Sequence, residues 1–347
     1  MNVTVKAIRD CKDEPLYIRI EDNIEEKISC AIDKDGNIFP AQKTEGGVVV
    51  ILTAKQSDNI ELELSDKNVF NTIALRSGSE KLDILFDNKL FTSYQYLSDL
   101  KKPFLGPVYT KTGNTFTRPD LHHKEHPHQR SVFIGVGDVN GVDLWNEPEN
   151  SGFLKKGAPE NIICGSAFAS FEANNIWCDK DGKPLMDETR KTIVYSQSEE
   201  CRYVDLEVTF KANYGDVFFG NTKEAGPLGV RVNEAIDVTH GGYMKNSYGA
   251  CGEEECWSKS AQWCIYGGRL DGEDCAIAIF DNEDNERYPT CWHIRNYGLF
   301  AANNLFFRGG LTIRENKTLT YSYRLCFFNN NANDVKERFL IYNLNNK

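Results

Sequence analysis

Long apolar stretches are missing from this chain. The longest aliphatic run, Val48 to Leu52, falls far short of the roughly 20 residues a bilayer-spanning helix needs. The opening MNVTVKAIRD lacks the apolar stretch of a secretory signal and alternates like a strand, so a cytoplasmic location is expected, with no membrane partner. Basic runs are missing as well, and a net charge of −11 argues against nucleic acid as a partner. There are 11 cysteines, but the number is odd and no C-x-x-C occurs; Cys251 and Cys256 have no matching second pair. Zinc knuckles and thioredoxin motifs are therefore unsupported, and the cysteines read as reduced, mostly small core side chains. Gly135, Gly137 and Gly141 miss the dinucleotide fingerprint by one residue and have no βαβ pattern around them, so no nucleotide cofactor is expected.

What is present is mostly strand. "LYIRI", "KISCAI", "VVVILTA" and "IELELS" alternate with the turn signals "EDN", "DKDGN", "EGG" and "KQSDN", the rhythm of a small β-sandwich. Further on, "KTLTYSYRLCFF" sets Leu319, Tyr321, Tyr323, Leu325 and Phe327 on one face and Thr320, Ser322, Arg324 and Cys326 on the other. Near the end, Val335, Phe339 and Tyr342 share a helical stripe, which predicts a closing helix. The expected fold is all-β: a small N-terminal β-sandwich over residues 1–80, and a large sandwich over 81–347 carrying the site, with few helices.

Chemistry concentrates in one stretch, "HKEHPHQRSVFIGVGDVNGVDLWNE". Of six histidines, four (His122, His123, His126, His128) lie within seven positions. On an extended chain His126, His128 and Arg130 would share a face, the two histidines roughly 6–7 Å apart. Such a pair suits two ligands of a divalent metal, or an acid and a base on one substrate, and Arg130 could hold an anion or a developing oxyanion. The plain alternative is a polar surface loop. A second alternating triplet, His293, Arg295 and Tyr297, repeats the chemistry, and the two are expected to converge in one cleft. Glu224 and Arg231 are expected at its rim or floor. Trp145 and Asn246 complete the candidates, since pyranose faces stack on aromatic rings and hydroxyls take polar partners. Here too the plain reading is strong, because tryptophan in a β-sandwich is usually core.

Several longer motifs in order resemble the PmoA-like family of bacterial proteins. "GNIFPAQ" is similar to the family's "vPaQ", and "PFLGPVYTKTG" to its "PyfhPl.tp.G". "EHPHQRSVFIGVGDVNGVDLWNE" resembles "DHPHHRGlw.a.GdvnGvdfW", and "TKEAGPLGVRV", "YMKNSYGACGEEECWSKSAQW" and "NERYPTCWHIRNYGLFAAN" follow. Gln129 and Ser131 replace a histidine and a glycine of that motif, and Glu125 stands where aspartate is usual. The resemblance implies a galactose-mutarotase-like β-supersandwich and a role in carbohydrate metabolism.

Two functions remain open at this level. One is a carbohydrate-active enzyme of lyase, hydrolase or epimerase type, working on a sugar or keto glycoside by histidine acid/base chemistry. In it His126, His128, His293 and Glu224 would be catalytic, with Arg130, Arg231, Arg295, Tyr297, Trp145 and Asn246 binding substrate. A metal on His126 and His128 is an option within it. The other is a non-catalytic carbohydrate-binding or accessory protein.

Overall fold

The computed structural model describes residues 1–20, 27–120, 122–196, 198–306 and 308–345. The fold is all-β. Among the described residues the α-helices are Gly252–Cys256 and the closing helix Val335–Asn345. None is long and apolar enough to cross a membrane.

The N-terminal strands form one antiparallel path: Asn2–Lys6, Asn59–Ser65, Cys30–Asp33, Ile38–Thr44, Gly47–Ala54 and Cys11–Arg19. Every strand sends side chains into one small core (Val3, Leu62, Ala31, Ala41, Val50 and Leu16 among them), so the sheet curls around it. The "DKDGN" turn closes the hairpin from Cys30–Asp33 to Ile38–Thr44, with the Asp33 carboxylate accepting the Asp35 and Asn37 amides at 2.9 and 2.8 Å. The sheet ends at Ser65, and Ala74–Ser77 already belongs to the next one.

Why Val48–Leu52 fails to alternate is answered by its surroundings. Val48, Val50 and Leu52 fill the small core, while Ile51 packs the other way against Phe168, Tyr195 and Trp263 of the larger unit. A strand covered on both faces has no reason to be polar on either.

The larger unit is a sandwich of two antiparallel sheets. One runs Cys291–Ile294, Leu299–Asn303, Ala225–Arg231, Val132–Val136, Phe104–Leu105, Lys89–Gln95, Lys81–Phe86, Ala74–Ser77. The other, of nine strands, includes Phe168–Cys178, Pro184–Tyr195, Cys201–Lys211, Thr318–Phe328, Glu273–Asp281 and Trp263–Leu270. Between them lie Val132, Ile134, Leu228, Val230, Trp292 and Ile294 of the first and Phe171, Trp177, Leu206, Tyr321 and Tyr323 of the second. The predicted closing helix forms, and Val335, Phe339 and Tyr342 lie on the outer side of the second sheet beside Phe280 and Phe328.

The period of two then decides what the first sheet shows on its other side. Phe104 pairs with Phe133, Phe133 with Gly229, Gly229 with Ala301, and Ala301 with His293. This row of one residue per strand, about 4.8 Å apart, crosses the outer face. A Cβ at Gly229 would lie 2.5 Å from the Phe133 ring, so only glycine lets that ring lie flat over its neighbouring strand. The loops that cover this face carry the histidines.

Candidate active site on the outer face of the eight-stranded sheet

The histidine loop is tied down at both ends by one residue. The Arg118 amide donates to the Arg231 carbonyl at 3.0 Å, and the Arg231 amide donates to the Ser131 carbonyl at 2.7 Å. The Arg231 side chain continues the job. Its guanidinium donates to Gln129 Oε1 at 2.7 Å and to Glu125 Oε2 at 3.2 Å, and lies 4.7 Å from the Tyr297 ring centre. At 1% exposure it is a brace for the loop rather than the substrate contact expected of it.

The loop is not extended, so the expected alternation of His126, His128 and Arg130 does not occur. His126 has φ +47, and its carbonyl accepts the Gln129 amide at 3.0 Å, closing a turn. A non-glycine residue held in that left-handed region stores of order 1–3 kcal/mol of strain, and such residues cluster at working sites. His126 Nδ1 lies 3.0 Å from Glu125 Oε1. Its ring stacks on Tyr297, with centres 4.9 Å apart and planes 5° from parallel, and meets His128 edge-on at 5.9 Å. With Nδ1 committed to the carboxylate as donor, Nε2 is the nitrogen left to accept a proton. Burial tends to raise the Glu125 carboxyl, but Arg231 and His126 override it and hold it below the usual carboxylate range.

The turn sends His128 and Arg130 to a different, drier corner. Arg130 Nη1 donates to both Glu147 oxygens, at 2.8 and 2.9 Å. Lys102, from the loop before Phe104, donates to the Trp145 carbonyl and sits 3.3 Å from Glu147 Oε1. Lys102, Arg130 and His128 are all buried. Burial, then the Lys102 charge, push the His128 imidazole down to about 4, so it is uncharged at neutral pH. Burial also works against the Glu147 carboxylate, yet Lys102 and Arg130 keep it below its ordinary range.

The second triplet is split. Its strand ends at Ile294, so His293 stays in the cross-sheet row while Tyr297 rides the hairpin turn to meet His126. Arg295 pairs with Glu253 at 2.9 Å and lies 5.8 Å from the Tyr297 centre. His293 is buried; that burial, then Arg295, push it down to about 4, and among the described residues neither ring nitrogen makes a well-formed hydrogen bond. By strand geometry it lies about 12 Å from Arg231, on the same face. Glu224 is half-buried just ahead of Ala225–Arg231, paired with Lys223 at 3.3 Å.

Two expected sugar contacts do other work. Trp145 is 1% exposed and packs edge-to-face on Phe133 at 5.0 Å, which makes it part of the core under the site. Asn246 lies on the edge strand of the nine-stranded sheet, its side-chain oxygen taken by the Tyr248 and Ala250 amides at 3.0 and 3.2 Å. The sequence does not mark Lys102, Arg118, Gln129 or Glu147 as site residues, and it shows Glu125 only as standing where aspartate is usual.

The donors do not favour a metal. His126 Nδ1 is already taken by Glu125 Oε1 at 3.0 Å, and His128 is buried beside the Lys102 charge, which would oppose a dication. Among the described residues, three donors close enough to share an ion are His123, Glu125 and Glu234. Arg118 already stands 3.5 and 3.7 Å from those two carboxylates, and His123 Nε2 takes Glu234 at 3.0 Å.

No curated protein matches the chain. A similar solved structure is described as "Putative kojibiose phosphorylase from human microbiome", with 8% identity and a TM-score of 0.29 over 79% of this chain. The chain spans 36% of that protein's length. A model of a family of unknown function, DUF6807, matches residues 81–338, from the strand Lys81–Phe86 through both sheets into the closing helix, and the chain belongs to that family.

Proposed function

We propose that this chain is a carbohydrate-active enzyme that moves a proton on a sugar or keto glycoside, with His126 as the base and Glu125 positioning it. The observation that carries this reading is the state of His126. Its backbone is strained, its Nδ1 is held by a carboxylate, its ring is stacked, and its Nε2 has no hydrogen bond among the described residues. A surface loop residue has no need of that arrangement, whereas a base held in one tautomer does. The resemblance of "EHPHQRS" and its companion motifs to the PmoA-like family supports a sugar as the substrate class.

A ketone on a sugar ring acidifies the neighbouring C–H. His126 Nε2 takes that proton, and the Glu125 carboxylate stabilises the imidazolium that results. Negative charge then develops on the carbonyl oxygen, where the cations of the loop lower its energy. From the enolate, departure of the neighbouring oxygen gives a lyase, and return of the proton to the other face gives an epimerase. Water added after elimination completes a net hydrolysis. His128, uncharged, serves as a hydrogen-bond partner rather than a strong acid. No metal takes part in this reading.

The test is a screen of free sugars and 3-keto glycosides, followed by His126→Ala and Glu125→Gln on any substrate turned over. His126→Ala should lower turnover about 10²–10⁴-fold with an unchanged thermal midpoint, and Glu125→Gln should lower kcat more than it changes KM. Full activity in His126→Ala would sink the assignment. Sugar binding by calorimetry with no turnover of any substrate would favour the binding-protein alternative.

A further inference from the structure

We infer that the substrate is longer than one sugar: a second pyranose ring, beyond the one that His126 serves, stacks on Trp257 at the edge of the same outer face. This rests on the sugar reading above and deepens it.

Tryptophan is divided unevenly in this chain. Of the five, Trp145, Trp177, Trp263 and Trp292 are buried, and Trp257 is half-buried. Its place follows from strand register. The Ser258 amide donates to the Trp292 carbonyl at 2.8 Å, and the Trp292 amide donates to the Lys259 carbonyl at 3.1 Å. Ser260 bridges antiparallel to Cys291. Residues 258–260 therefore line the outer edge of Cys291–Ile294, with Ser258 and Lys259 both opposite Trp292. Two residues facing one make a bulge, and Ser258 carries a left-handed φ of +60 there. The next residue back, Trp257, comes level with His293, so the row that crosses the outer face from Phe104 to His293 ends at this indole. Phe306, also half-buried, meets it edge-on with ring centres 6.0 Å apart.

The same segment reaches back to the histidine loop. The helix Gly252–Cys256 ends at Trp257, whose amide donates to the Glu253 carbonyl at 2.8 Å. Glu253 Oε2 accepts the Asn296 amide at 2.6 Å, and its Oε1 pairs with Arg295 Nε at 2.9 Å. Both side chains of that pair are partly exposed, at 33% for Arg295 and 25% for Glu253. Arg295 stands 5.8 Å from the Tyr297 centre, and Tyr297 carries the stacked His126. From the base outward the order is an aromatic ring, an arginine–glutamate pair and an indole. By strand geometry Trp257 lies roughly 10–12 Å from Tyr297, the span of two linked sugars. A pyranose offers C–H groups on its faces and hydroxyls around its rim. Rings at the two ends and a partly exposed ion pair between them match that pattern piece by piece.

The experiment is tryptophan fluorescence with isothermal titration of the intact protein. The ligands are cellotriose, maltotriose and laminaritriose, with glucose and 4-nitrophenyl glucoside as one-sugar controls. The expected result is saturable binding of at least one trisaccharide, about tenfold tighter than glucose. It should change the emission, because the other four tryptophans are shielded. Trp257→Phe should keep the heat of binding and abolish the emission change. Trp257→Ala should weaken the trisaccharide about tenfold and leave glucose as it was. Thermal midpoints check both folds, and Trp257→Phe carries the test if the alanine variant unfolds. No trisaccharide binding, or a loss in Trp257→Ala no greater than for glucose, overturns the inference. Tighter binding of 4-nitrophenyl glucoside than of every trisaccharide also overturns it, since an aromatic aglycone would then sit on the indole. Trp257-dependent trisaccharide binding in a protein that turns over no glycoside would keep it and sink the enzyme reading.

Discussion

Two clusters in this molecule are built from the same residue types and behave differently. In the first, Glu14 Oε1 accepts from Tyr203 Oη and Arg338 Nη1, each at 2.7 Å, and Arg338 also holds Asp334 at 2.8 Å. It joins the N-terminal sheet, the nine-stranded sheet and the closing helix, with Glu14 at 1% exposure and Arg338 at 5%. In the second, Glu125 joins His126 to Arg231 above Tyr297, and its carboxylate is half exposed. The first lies on strands and a helix, while the second lies on a loop with left-handed backbone at His126 and Ser131. Closed, regular and buried, the first can only hold elements together. Open, strained and at the surface, the second has a side it has not used.

The difference breaks most visibly at Arg338. Arg338→Met should cost about 3–5 kcal/mol in urea unfolding, because Glu14 is left buried without its cation. Turnover of the folded fraction should be unaffected, and a cost under about 1 kcal/mol would show that the two clusters do not differ in the way described.

A buried acid with no ion pair among the described residues sharpens the same contrast. Asp281 is fully buried and accepts from Asn285 Nδ2 and the Thr290 amide, both at 2.7 Å. Burial, opposed by those hydrogen bonds, pushes its carboxyl up to about 7. The folded chain therefore holds this proton more tightly than an unfolded aspartate at about 3.9. Its stabilising effect is complete below that value and is lost as pH rises to about 7. Relative to Asp281→Asn, the wild type should lose a few kcal/mol between pH 4 and 7.5 and run parallel above. Identical slopes for the two proteins would refute this.

The smallest effect belongs to Ser131, which has φ +48, a backbone region that favours glycine. Its Oγ donates to Thr117 Oγ1 at 2.7 Å. Ser131→Gly relieves up to about 1 kcal/mol of strain and forfeits a hydrogen bond of about the same worth, so its midpoint should barely move. Ser131→Val, which has the strain without the bond, should lie clearly below both.

The fold was legible where the sequence keeps its period. Thr318–Phe328 alternates in sequence, and Tyr321, Tyr323, Leu325 and Phe327 do share the face between the sheets, although Cys326 and Phe328 are buried on the other face; Val335–Tyr342 shows its stripe. The histidine cluster was legible too, because four titrating side chains in seven positions are conspicuous. Their geometry was not: the left-handed turn at His126 has no marker beyond the following proline, and it undid the expected shared face. Lys102 and Glu147 come from separate loops and meet only through strand register, which a single chain does not display. Trp145 and Asn246 misled because a side chain that stacks on a sugar and one that fills a core are the same residue.

The doubly covered strand Gly47–Ala54 has a consequence for how the molecule can be dissected. It is an inner wall of the small core and, through Ile51, a wall of the outer cluster around Phe168, Trp263 and Phe339. Ser166 Oγ reaches the Ser29 and Ala41 carbonyls, and Gln42 caps the amides of Ala167 and Phe168, so the seam is bonded as well as packed. A fragment beginning near residue 66 would lack that strand, leave Phe168, Tyr195 and Trp263 without its cover and invite self-association. The N-terminal sixty-odd residues are therefore packed and hydrogen-bonded against the larger unit as part of its surface, rather than joined to it by a linker alone.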